Sequence, residues 1–192
     1  MNIHTEQTFE SAIEQDLLGN GGYVKGDPND ISRELSLDCS TIIQFLRKSQ
    51  NKEWNKLSDI HGYDIDNKII ARLTKELDLR GSLDVLRHGF TDYGVHFDMA
   101  YFKPESGLNP DSQFLYDSNI LTVYRQVHYS KKNENSLDLV LGINGIPVAT
   151  AELKNPFTGQ NVEHAKKQYM ADRDQVIWQT EVDNFAKVFF QQ

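Results

Sequence analysis

Two apolar runs joined by Asn144-Gly145 constrain this chain more than any other feature. Leu139, Val140, Leu141 and Ile143 make a near-continuous apolar run, as expected of a strand covered on both faces. The return run, Ile146 to Leu153, carries Val148, Thr150 and Leu153. Asn-Gly between two such runs is the strongest short-range signal for a β-hairpin. The hairpin also carries ionisable groups among apolar ones: Asp138 on the first strand, Glu152 and Lys154 on the second. Such groups are seldom buried without a partner or a metal. Side chains alternate along a strand, so Glu152 and Lys154 share a face and Leu153 takes the other.

Register decides whether the two acids meet. A two-residue loop at Asn144-Gly145 pairs Ile143 with Ile146, sets Asp138 opposite Ala151 and turns it away from Glu152. A three-residue loop, Ile143-Asn144-Gly145 with Gly145 as a left-handed bulge, pairs Gly142 with Ile146. Asp138 then faces Thr150, diagonal to Glu152 and within reach of a shared ion. The bulged loop is the expectation, because the chemistry requires both carboxylates on one face. A bend at the start of the first strand would serve the same end.

Two carboxylates with a lysine two residues on form the set of groups used in magnesium-dependent phosphodiester cleavage. Hard oxygen ligands select magnesium, which keeps several waters and takes one or two carboxylates. Asp138 and Glu152 are the candidate metal ligands, with the Leu153 carbonyl as a further donor. The ion would acidify water and offset phosphate charge, and Lys154 would orient the attacking water or neutralise the phosphate. The bland alternative makes Asp138 a solvated residue at a strand entrance and Glu152 and Lys154 an exposed ion pair. From spacing alone the two readings stand even.

The residues around the hairpin tip the balance. The stretch Leu137 to Phe157, with Asp138 for the first acid and Glu152-Leu153-Lys154 for the second half, resembles the PD-(D/E)xK nuclease motif. Together with Thr158 to Gln168 and the opening Thr5 to Leu18, it is similar to the N-terminal nuclease domain of the R (restriction) subunit of type I restriction enzymes. The similarity is diffuse between about residues 25 and 115. The resemblance implies a glutamate on the first helix near the active site, and Glu10 matches it. Read without the resemblance, Glu10 and Glu14 form the wet face of a helix whose apolar stripe is Phe9, Ile13 and Leu17. The family also carries a glutamine followed four residues later by tyrosine. Gln168 matches the glutamine, but the tyrosine position holds Asp172, and Tyr169 reads as a packing residue. The proline before the first acid is replaced by Leu137.

Bulk properties set outer limits. A chain of 192 residues buries a real core as one domain, with room for a helical lobe. No apolar run is as long as a membrane span, and the first twenty residues lack a basic-then-apolar signal. Cys39, a single cysteine, suits a reducing cytoplasm and has no Cys/His set for zinc. The net charge of −8 argues against strong non-specific DNA binding. Positive charge does gather locally at Lys131-Lys132, Lys154, Lys166, Lys167 and Arg173. No G-x-x-x-x-G-K-S/T loop is present, so ATP enters only through the motor domain that follows the nuclease domain in the resembled family. On that resemblance the chain is expected to be an N-terminal fragment of a longer, motor-containing subunit.

Along the chain, Thr5 to Leu18 reads as a helix stopped by Gly19-Asn20-Gly21-Gly22. A short strand begins at Tyr23-Val24, and a turn-rich loop runs from Gly26 to Ser32. Helices follow over about Asp38–Ser49, Glu53–His61 and Asp66–Leu79, within a helical lobe of about residues 35–90. Trp54 is expected in a core. Val95–Phe102 and Leu121–Tyr129 alternate as strands, with His96 and His128 outward and a loop at Pro104–Ser112 between them. The hairpin is followed by a helix near Asn161–Asp172 and a strand at Phe185–Phe190.

The expected fold is therefore α/β: a restriction-endonuclease-like central mixed sheet flanked by helices, with a helical insertion. The resemblance implies a magnesium-dependent endonuclease domain with Asp138, Glu152, Lys154, Glu10 and Gln168 in its site. It also implies double-stranded DNA and the modification and specificity subunits as partners. Two alternatives stay open: a non-cutting DNA-docking or subunit-interface module on the same fold, and a repair or junction nuclease of the same motif class.

Overall fold

The structure, a computed structural model, describes residues 6–106, 108–130 and 134–153. Lys131-Lys132 and everything from Lys154 onward lie outside the described residues. That includes Gln168, Tyr169 and Asp172, and the helix and strand expected after the hairpin. In chain order the elements are α1 (Glu6–Gly19), β1 (Val24–Lys25), α2 (Cys39–Ser49), α3 (Asn51–His61), α4 (Ile65–Arg80) and α5 (Ser82–His88). Then come β2 (Phe90–Asp92), β3 (Val95–Phe97), α6 (Pro110–Asp117), β4 (Leu121–His128), β5 (Ser136–Ile143) and β6 (Ile146–Ala151). The fold is α/β, with a four-stranded sheet in the order β1-β4-β5-β6 and a separate ribbon of β2 and β3. The large sheet is mixed: β1 runs parallel to β4 with Val24 beside Thr122, whereas a two-residue turn makes β5 and β6 antiparallel. No helix among the described residues is long and apolar enough to cross a membrane.

The chain divides into two compact units. Of the described residues, the first unit holds those up to Ser36, Leu121–Gly142 and those from Pro147 to Leu153. Its core gathers Ile31, Tyr124, Val127, Leu137 and Val140, with Tyr129 packed against them. Helix α1 lies against β4. Its inward face departs from the expected apolar stripe: Phe9 is 54% exposed, while Glu10 and Glu14 are buried.

The second unit is Leu37–Ile120 with the hairpin tip, Ile143–Ile146. It contains the expected three helices, and Ile42, Phe45, Leu46, Leu57, Ile69 and Leu73 are buried in it. Trp54 is buried too, with the Arg47 guanidinium over its ring. Two helices escaped the sequence reading. Helix α5 follows α4 after Gly81, and α6 starts at Pro110, capped by the Asn109 side chain, inside the expected loop. The expected strand at Val95–Phe102 shrinks to Val95–Phe97. Gln50 ends that strand: its amide donates to the Asp98 carbonyl at 2.8 Å and accepts the Asp98 N–H at 2.7 Å, using the groups a neighbouring strand would need.

The hairpin tip corrects the register expectation. Asn144 (φ 53°) and Gly145 (φ 85°) are both left-handed, and β5 runs through Ile143 to the turn. Two consecutive positive φ values define a two-residue type I′ turn, not a bulged three-residue loop. The cause is tertiary. The Asn144 side chain is fully buried, donating to the Met99 carbonyl (2.9 Å) and to Asn119 Oδ1 (3.0 Å) while accepting the Ile120 N–H (2.7 Å). A Cβ at Gly145 would stand 2.4 Å from the Asp38 carbonyl oxygen, so no other residue fits this approach or this φ.

Candidate functional site around Asp138

The site is built in the first unit from α1, β4 and β5. Asp138 projects from β5 and is half-buried. Its Oδ2 accepts the Leu153 N–H at 2.7 Å. Strand β6 ends at Ala151, so Glu152 and Leu153 lie beyond its regular pairing. In the register set by the two-residue turn, strict alternation would send Glu152 to the face opposite Asp138. The chain instead leaves the strand at that point and brings its backbone to the Asp138 carboxylate. Glu152 is partly buried there, and Lys154 is the next residue beyond the described chain.

Asp138 Oδ1 accepts from Gln126 Nε2 at 3.3 Å. The same nitrogen donates to Glu10 Oε1 at 3.1 Å, and Gln126 Oε1 accepts the Ser136 hydroxyl at 2.9 Å. Carboxylates only accept, so the amide must present its NH2 to the two acids and its oxygen to Ser136. One side chain thus spans Glu10 on α1 and Asp138 on β5.

Glu10 is held from its other side by Arg125, whose Nη2 lies 2.9 Å from Oε2. Arg125 Nη1 also reaches Glu14 Oε2 at 3.2 Å and Ser11 Oγ at 3.1 Å. Lys25 closes the group with Nζ 3.2 Å from Glu14 Oε1. Two buried acids thus face two cations, the condition under which buried carboxylates are tolerated. The hydrogen bond to Glu10 is the main influence raising the Arg125 pKa above the ordinary guanidinium value, and burial opposes it. The wet-face reading of Glu10 and Glu14 is overturned.

Of the five residues expected in the site, the structure links Glu10 to Asp138 through Gln126 and brings the backbone beside Glu152 to Asp138. Lys154 and Gln168 lie outside the described residues. His96, expected to face outward on its strand, is exposed. Sequence reasoning missed Arg125, Gln126 and Ser136. In an alternating strand Arg125 and Gln126 point to opposite faces, so no periodicity predicts that both would touch Glu10.

Among the described residues each Asp138 oxygen takes one hydrogen bond, which leaves it capacity to accept another. Both Glu10 oxygens are already engaged by positive or polar donors. Among the described residues no group of three or more His, Cys, Asp and Glu side chains is placed to hold a metal. A small divalent ion that keeps its waters does not require one, because it takes one or two carboxylates.

The family model described as the type I restriction enzyme R protein N terminus matches residues 3–189, and the chain belongs to that family. No curated protein matches the chain, and no solved structure does.

Proposed function

We propose, taking that membership as the premise, that this chain is the nuclease part of a type I restriction R subunit and hydrolyses DNA phosphodiester bonds with magnesium. The observation that supports this reading most is the Asp138 carboxylate. It is fixed by the Leu153 N–H on one oxygen and Gln126 on the other, the one hydrogen bond that each oxygen takes among the described residues. The donors fit magnesium, since they are hard, anionic and few.

In this reading Asp138 and Glu152 hold the ion. When bound, it supplies positive charge beside the scissile phosphate and makes water more acidic. Lys154 orients the attacking water and offsets phosphate charge. Glu10, neutralised by Arg125, supports Asp138 through Gln126 and does not ligate. Gln168 is carried as a further site residue on its match to the family's glutamine. Double-stranded DNA is the substrate, and the modification and specificity subunits are the partners, with ATP used by a motor domain of the R subunit. The locale is the cytoplasm. The acidic charge of −8 fits a chain that leaves most phosphate contacts to those other parts.

Calorimetric titration of the chain with magnesium and manganese, on wild type and Asp138→Ala, tests the reading. Binding on the order of millimolar or tighter that disappears in the variant is expected. Absence of binding in the wild type would favour the non-cutting docking module.

A further inference from the structure

Gln126 has φ +52° in the middle of β4. A left-handed backbone is uncommon for a residue with a Cβ and costs about 1 kcal/mol or more. Glutamine has no short side chain to compensate locally, as asparagine does. Such outliers persist where the surroundings over-determine them, and a break of this kind in a strand re-aims side chains.

The consequence of the break is visible at Glu10. Arg125 and Gln126 are consecutive, and regular pleating would point them to opposite faces. Instead Arg125 Nη2 takes Glu10 Oε2 and Gln126 Nε2 takes Oε1. The left-handed turn is what lets neighbouring residues grip both oxygens of one carboxylate. It also sends the Gln126 amide on to Asp138, while the Ser136 hydroxyl sets the orientation of that amide.

We infer that Gln126 is a positioning residue for the proposed metal ligand Asp138, an inference that rests on the reading above. Its amide orients the Asp138 carboxylate by donating to Oδ1, and it ties that carboxylate to the Arg125-anchored Glu10. The strain in β4 is retained because only this backbone delivers the amide to both acids. Residues that orient a metal ligand typically change metal affinity by about 10–100-fold when removed. Gln126 is exposed, where water competes with its hydrogen bonds, so the lower end of that range applies.

Gln126→Gly is the informative variant. Glycine accepts the positive φ without strain, so the substitution deletes the amide and relaxes the backbone together. The full 192-residue chain is used. The expected result is manganese affinity lower by about tenfold, with the relieved strain offsetting part of the stability lost with the hydrogen bond to Glu10. A purely structural role predicts a lower melting temperature with unchanged affinity. Ser136→Ala, which frees the amide to rotate, is expected to weaken manganese binding by a smaller factor. Wild-type binding that Gln126→Gly leaves within about twofold, well short of that expected range, would overturn this inference alone. Failure of the wild type to bind manganese would overturn the reading of the site, and the inference with it.

Discussion

The Arg125 guanidinium lies 2.9 Å from the Glu10 carboxylate, joining the middle of β4 to α1 in a place where Glu10 and Glu14 of the helix are buried. The side chains of Glu10 and Glu14 are 4% and 8% exposed, so neither can recruit enough water to stand alone. Breaking a buried pair leaves an uncompensated charge, which is why removing one partner costs far more than the pair contributes. Arg125→Leu is therefore expected to destabilise the chain by about 3 kcal/mol or more. Glu10→Gln added to Arg125→Leu is expected to restore part of that loss. Urea unfolding of the single and double variants checks both. A loss below about 1 kcal/mol, the level of a surface pair, would show that the group is not a structural anchor.

The tip of the hairpin belongs to a different unit from the acids and is expected to respond differently. Asn144→Ala leaves the Ile120 N–H and the Met99 carbonyl without their partner in a fully buried setting. Each such group costs about 1–3 kcal/mol, so the variant should lose about 2–6 kcal/mol. Gly145→Ala meets both the positive φ and the 2.4 Å approach to Asp38, and is expected to fold poorly. Metal affinity in folded Asn144→Ala should stay at the wild-type level, as measured by the same calorimetric titration.

In the proposed nuclease reading, Lys154 is expected to separate chemistry from metal binding. In the assembled restriction enzyme, Lys154→Met is expected to lower DNA cleavage by about 100-fold or more, the scale of losing one charged or hydrogen-bonding group at the transition state. Manganese affinity of the isolated chain should be unchanged or slightly higher, since a nearby positive charge has been removed. Loss of metal binding in this variant would place the lysine among the groups that organise the metal site.

Cys39 offers a chemical probe of the second unit. Burial pushes its thiol pKa up, and the neighbouring Asp38 carboxylate pushes it further. A higher pKa means less thiolate at neutral pH, so alkylation should be slower than for an unstructured cysteine. Asp38→Asn keeps an amide oxygen for the Thr41 N–H, so helix α2 stays capped. The charge is lost, and alkylation at pH 7.5 should quicken but remain slower than the unstructured reference, because burial is the larger cause. Rates followed against pH by mass spectrometry decide this.

The hairpin was legible because its signals are local. Asn-Gly at the turn and the flanking apolar runs need no knowledge of the rest of the chain. The four longer helices, α1 to α4, were legible for the same reason. The short helices α5 and α6 were not, because seven or eight residues carry too little periodicity to outweigh neighbouring glycines and a proline. The turn type was misjudged from the chemistry expected downstream. The backbone at Leu153 reaches Asp138 by the chain leaving β6 after Ala151, a departure that no residue in the turn announces.

What the sequence determined by itself is the set of chemical groups: Asp138 before the Asn-Gly turn, Glu152 and Lys154 after it, and a glutamate on the first helix. Spacing and periodicity are short-range properties, and these residues declare themselves at short range. What only the tertiary structure decided is how the acids are held. Glu10 lies inward because Arg125, more than a hundred positions away, meets it there. Gln126 reaches Asp138 because β4 takes a left-handed step that side-chain identity does not encode. Charges are buried only when distant cations arrive to offset desolvation, and backbone strain is held only by the packing around it. Both depend on long-range contacts, to which a local reading of the residues has no access.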